Sequence, residues 1–224
     1  MAAIDQWYRS MPLVTRTYAT LAVGTTLACH IGLLRPLQLY LNLGLVFKAH
    51  EYWRLVTNQL FFGMLGMEFV FRIYFLIHYS WLLETGHFRG RRADFVWMLI
   101  LEAAALTILA PFTRLLFLGT ALSFSLVYVW ARRSPDVRVA VLGLVPIRAP
   151  WLPWALLIVP LILRESLPIA DLLGIAVGHL YYYLDAVLPT IIHRDFVGAP
   201  RWLKRLLDDP NDPASIAAAG ANRA

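Results

Sequence analysis

The sequence predicts an all-α integral membrane protein, a six-helix bundle with a partly membrane-embedded first loop. Three observations carry that expectation. The 224 residues are 59% hydrophobic and only 15% charged, with a mean hydropathy of +0.61, whereas soluble domains carry about a quarter charged residues. The apolar residues gather into six long segments without strand-like alternation, as lipid requires of helices that satisfy their own backbone hydrogen bonds. The Lys and Arg residues stand at the segment ends and favour one set of connections.

Residues 1–16 mix polar, charged and aromatic types and lack the apolar core and cleavage site of a removable signal, so the first span is expected to anchor uncleaved. The six apolar segments are Thr17–Leu34, Phe61–Leu83, Phe95–Ala110, Leu115–Trp130, Trp151–Leu163 and Ile169–Leu188, giving a membrane domain over 17–188. Of the Lys and Arg residues, 14 fall on the side that holds both termini, 5 fall on the other side, and Arg72 lies within a span. Both termini are therefore expected in the cytosol. The connection Arg35–Leu60 then lies on the far side, and its Leu, Tyr, Phe and Trp content suits the membrane interface. Trp151–Leu163 has 13 residues, with Pro153 and Pro160 among them, although a span needs about 20. Such a segment thins the bilayer, leans on neighbours or fails to cross.

The tail, 189–224, turns polar. Within it Pro200–Leu207 can form an amphipathic helix, with Trp202, Leu203, Leu206 and Leu207 on one face and Arg201, Lys204 and Arg205 available to anionic headgroups. The last residues are expected to be disordered.

Several function classes drop out. The single Cys29 cannot form an internal disulfide. The basic residues punctuate apolar segments instead of forming one basic face, so no nucleic-acid partner is expected. His78 and His87 stand nine apart, and Cys29 and His30 have no second cluster, so no metal is expected. Gly86, Gly90 and Gly119 make no phosphate-binding loop, and no cofactor is expected. Neither inverted repeats nor midplane helix breaks suggest a solute transporter.

Polar groups at membrane depth carry the most information, because each costs a few kcal/mol unless paired or wetted. His50–Gly63 places Trp53-Arg54 and then Thr57-Asn58-Gln59 at the mouth of an apolar run, which makes them candidates for a loop and groove that shelters polar groups. Arg72 and Glu102 fall at depths that differ by about 6 Å, within reach of an ion pair between helices. Glu68–Arg72, four apart with the acid N-terminal, is the equal alternative. Gly174 and Gly178 clear one helix face for a close neighbour. His179 behind them reads first as a helix–helix contact; a Ser123–His179 dyad is the enzymatic alternative, with nothing around Ser123 that marks a nucleophile.

Several stretches together resemble the Derlin family, the rhomboid-like pseudoproteases of the endoplasmic reticulum. They are Leu39–Asn42 leading to Trp53–Asn58 and Phe61-Phe62-Gly63, then Phe88–Phe95, Val127–Trp130 with Arg132-Arg133, Ala149–Trp154, and Asp171–Leu180. The resemblance implies a rhomboid-like fold. Where active rhomboids carry Gly-x-Ser, this chain reads Gly119-Thr120-Ala121, so Ala121 is a degenerate nucleophile position and no enzymatic activity is implied. It further implies a part in moving misfolded lumenal or membrane clients to the cytosol for ubiquitination and proteasomal degradation. The implied partners are a RING-type ubiquitin ligase complex, the AAA+ unfoldase valosin-containing protein reached through that complex, membrane lipids, and a homo- or hetero-oligomer. An active rhomboid-type serine protease is the alternative. Two departures stand out. Asn42-Leu43 replaces the Asn-Pro of many members, and Phe196–Leu203 imitates the unfoldase-binding box with Pro200 where the second glycine belongs.

Overall fold

The computed structural model describes residues 2–141, 145–164, 167–192 and 197–208, and helix predominates among them. After α1 (Ala2–Ser10), α2 (Leu13–His30) begins four residues ahead of the first apolar segment. Its capping position is Pro12, which offers no side-chain acceptor, so the first backbone N–H groups of the helix need a partner from elsewhere. Glu84 supplies it: its carboxylate accepts from Val14 N at 3.0 Å, Thr15 N at 2.8 Å and Thr15 Oγ1 at 2.7 Å. That contact brings the start of α2 to the end of α6 (Met67–Thr85), so the two run antiparallel.

The first connection holds three short helices, α3 (Pro36–Leu39), α4 (Leu43–Lys48) and α5 (Arg54–Leu60). Beyond α6, α7 (Arg92–Thr113) returns toward the first loop, and Arg114 closes it in a left-handed conformation with φ 56°. The central helix is α8 (Gly119–Arg133), with eleven of its residues buried, as expected of a helix apolar on every side. An antiparallel hairpin, β1 (Arg138–Val141) with β2 (Val145–Arg148), leads to α9 (Leu152–Arg164). Then come α10 (Ile169–Tyr182), a π-helical turn over Tyr183–Val187, and α11 (Leu188–Ile192) in one continuous stretch. Arg92–Thr113 and Ile169–Ile192 are each long and apolar enough to cross a membrane.

Two apolar cores flank α8. One gathers Phe62, Leu76, Phe88, Phe95 and Leu126; the other gathers Leu41, Leu106, Leu118, Leu122 and Val177. The tail helix α12 (Arg201–Leu207) returns to the start of α7. There Leu203 is buried among Ala93, Val96 and Trp97; Ala199 N donates to Asp94 Oδ1 at 3.0 Å, and Ala93 N donates to Asp208 Oδ1 at 2.9 Å. The apolar face expected over Trp202–Leu207 thus divides: Leu203 and Leu207 turn to α7, while Trp202 and Leu206 stay exposed. In the box-like stretch Val197 and Ala199 are buried too; Phe196 and the tail after residue 208, where disorder was expected, lie outside the described residues.

Candidate functional site

Arg54 is the organising group of the first loop. An isolated guanidinium is costly to bury unless its donors find acceptors, yet this one is 6% exposed. Its Nε donates to Glu51 Oε2, and its Nη1 donates to the carbonyls of Leu37 and Tyr40, each at 3.1 Å. The guanidinium also lies over the Tyr40 ring, 5.0 Å from its centroid. One cation therefore ties α3, the turn after it and the residues before α5 into a single unit. Trp53 points the other way and is 54% exposed.

Thr57, Asn58 and Gln59 face inward from α5. Thr57 Oγ1 donates to Leu39 O at 3.2 Å, and Asn58 Nδ2 donates to the carbonyls of Arg54 and Leu55. Gln59 Nε2 reaches Ala103 O on α7 at 3.3 Å, while the Gln59 carbonyl accepts from the Tyr18 hydroxyl of α2 at 3.0 Å. Asn58 and Gln59 are buried, so the structure places them inside the bundle and not on an open groove surface. Asn58 Oδ1 and Gln59 Oε1 have no partner among the described residues.

Directly beyond Gln59 the backbone meets α8. A side chain at Gly119 would come within 2.9 Å of the Gln59 carbonyl. One helical turn on, α8 and α10 approach most closely. A Cβ at Gly174 would lie 2.3 Å from the Ala121 carbonyl, and one at Gly178 would lie 2.9 Å from that of Ser125. Hydrogen takes the place of a side chain in both contacts, as the glycine spacing predicts. His179 follows on α10, with Nδ1 2.6 Å from the Tyr128 hydroxyl of α8. Ser123 Oγ is buried and has no hydrogen-bond partner among the described residues, so the imidazole is engaged by Tyr128 and not by Ser123. Ala121 is fully buried against Gly174.

The ion pair proposed between Arg72 and Glu102 is corrected. Arg72 Nη2 bonds Glu68 Oε1, and its Nη1 donates to the Phe62 carbonyl at 2.9 Å. Glu102 instead turns to α8, where Ser125 Oγ lies 2.7 Å from its Oε2. The reason is rotation about the helix axes: Arg72 stays on the side of α6 that faces the loop, and Glu68 is four residues N-terminal on that side. Arg72 thereby fixes the carbonyl just ahead of Gly63, whose φ of 108° suits glycine.

Three participants escaped the sequence reading. Glu51, Tyr18 and Tyr128 each hold a site residue in place. Tyrosines in spans carry a polar tip that needs a partner when buried, which was the available signal for two of them. Nothing in the sequence singled out Glu51.

The arrangement defines a class: a helical bundle with, among the described residues, two membrane-length helices, an arginine-braced first loop and a glycine-mediated α8–α10 contact. The Der1-like family model matches residues 11–201, and the chain belongs to that family. It is 41% identical to the probable derlin-2 homolog of Dictyostelium discoideum over 93% of this chain and 85% of that protein. It is 40% identical to Derlin-2.2 of Arabidopsis thaliana over 96% of this chain and 91% of that protein. It is 41% identical to Derlin-2 of Oryza sativa subsp. japonica over 93% of this chain and 88% of that protein.

Proposed function

We propose that this chain is a six-span protein of the endoplasmic-reticulum membrane with both termini in the cytosol. In this reading it acts without catalysis in endoplasmic-reticulum-associated degradation, as part of the route by which misfolded lumenal or membrane proteins reach the cytosol. Membership of the Der1-like family over residues 11–201 is the observation that carries the reading. Ala121 at the degenerate nucleophile position and the Tyr128-bound His179 agree with a non-catalytic role.

The helix lengths suggest how the membrane is made permissive. At about 1.5 Å per residue, α8 and α9, with 15 and 13 residues, reach roughly 22 and 20 Å. An ordinary hydrocarbon core is about 30 Å thick. α8 is enclosed by its neighbours, so α9 with its exposed Trp154 and Ile158 is the one that meets lipid. A bilayer that thins to it lowers the barrier to a hydrated polypeptide. In this reading the client meets the exposed ridge of Tyr52, Trp53 and Val56 on the first loop. Thr57, Asn58 and Gln59 hold that ridge from beneath. A RING-type ligase complex receives the client, and the unfoldase is recruited through the complex, because Val197 and Ala199 of the box-like stretch are packed away.

Affinity purification from native membranes tests the proposal. Co-purification of a RING ligase together with the AAA+ unfoldase is the expected result; recovery of neither contradicts it.

A further inference from the structure

At the end of the bundle opposite the first loop, a cavity of about 190 Å³ opens where four segments converge. They are the α6–α7 connection, the end of α8, the π-helical turn and the tail. That volume is well above the roughly 10–15 Å³ of such space that a single water needs. Its charged lining is Arg91, Asp94, Arg133, Asp185 and Lys204, with His87 beside them.

The charges do not cancel. Asp185 is engaged by Arg133, while Asp94 accepts from Ala199 N at 3.0 Å and pairs with Lys204 Nζ at 3.3 Å. Both carboxylates are thus already committed. Arg91 has no carboxylate partner among the described residues; its Nη2 donates to the His87 carbonyl at 2.9 Å, and its guanidinium lies 5.7 Å from the centre of the Phe88 ring. Arg133 Nε is buried and has no partner among the described residues. Buried donors without acceptors are uncommon. His87 reports the same surplus: burial first, then the nearby Arg133 and Arg91, draw its imidazole down from 6.5 to about 4.

We propose that this cavity is an anion site for a phosphate group, presented by an acidic phospholipid headgroup or by free phosphate. Among the described residues Arg91 brings a guanidinium with no carboxylate, and Arg133 and Lys204 add cations that each share theirs with one aspartate, so the lining keeps one positive charge in excess for a phosphate to meet. The lipid source is favoured by position. The cavity lies at the end that the basic residues assign to the cytosolic leaflet, a clause that rests on the proposed topology. Pro189, in the lining, shares α11 with the exposed Ile191 and Ile192, an apolar flank suited to acyl chains.

The full chain in detergent is titrated with dihexanoyl phosphatidic acid, dihexanoyl phosphatidylcholine and inorganic phosphate while its melting temperature is followed, since a ligand for the folded state raises it. Phosphatidic acid is expected to raise it more than phosphatidylcholine does. A matching rise with inorganic phosphate assigns the site to the free anion, and a rise with phosphatidic acid alone assigns it to lipid. Arg91→Gln is expected to weaken binding about tenfold, the loss of one charge-assisted contact. Lys204→Gln, on the tail side, repeats the measurement should Arg91→Gln lower the unliganded melting temperature. No rise with either phosphate probe, an equal rise with phosphatidylcholine, or equal weakening by Arg89→Gln outside the cavity overturns the site. So does stabilisation by a Glu-rich peptide alone. Client turnover does not enter this measurement, so its outcome is independent of the degradation role.

Discussion

At the loop end of the bundle Arg54 is enclosed by the Glu51 carboxylate, the carbonyls of Leu37 and Tyr40 and the Tyr40 ring. At the other end Arg133 meets Asp185 but keeps a buried Nε without a partner among the described residues, beside a cavity. The same residue type leaves no buried donor unmet in one place and leaves one unmet in the other, among the described residues. A guanidinium enclosed in this way fixes architecture, because removing it strands every acceptor around it. Arg133, with its Nε unmet at the edge of the cavity, belongs instead to the proposed anion site.

The largest expected effect breaks the loop end. Arg54→Ala leaves Glu51 and two carbonyls behind and is expected to destabilise the fold by about 3–5 kcal/mol; thermal unfolding in detergent measures it. A drop no larger than that of an exposed arginine would remove the contrast between the two ends. Next is the contact that links them. Gly174→Ala drives a Cβ to 2.3 Å from the Ala121 carbonyl and is expected to cost about 3 kcal/mol, against about 1 kcal/mol for Gly178→Ala, where the clash is 2.9 Å. Equal losses would show that α10 shifts freely.

A smaller effect belongs to His87 beside the cavity. With a folded value of about 4 against 6.5, the unfolded chain binds the extra proton between those limits. Stability is therefore full above pH 6.5 and falls as pH is lowered toward 4. His87→Gln is expected to flatten that slope by on the order of 1 kcal/mol after solvent screening; unfolding midpoints across the range check it. The smallest effect concerns Arg72. A double-mutant cycle with Glu68 is expected to give a coupling of about 0.5 kcal/mol, as for partly exposed pairs four apart on a helix. The cycle with Glu102 is expected to give none. Coupling to Glu102 instead would restore the interhelical pair.

The sequence made some of this legible and left the rest open for physical reasons. The apolar runs marked where α7 and the continuous stretch Ile169–Ile192 lie, because membrane-length helices follow from composition. The Gly174–Gly178 spacing announced a close neighbour, and the structure supplies α8 as that neighbour. Rotation about helix axes is not legible in a sequence, so depth and spacing allow Arg72 to meet Glu102 as readily as Glu68. The inward direction of Asn58 and Gln59 was hidden for the same reason, since a polar cluster reads alike whether it faces a groove or braces a helix. Glu84 capping α2 from far along the chain had no sequence signal, and the tail's return to Asp94 had none either.

The central claim is that this chain helps clear misfolded proteins without acting as a protease. Pulse–chase of a misfolded membrane client in cells lacking the chain tests it most directly. Turnover is expected to be delayed in those cells, and restored by the wild type and equally by Ser123→Ala. Unchanged turnover without the chain, or rescue that requires Ser123, would contradict it.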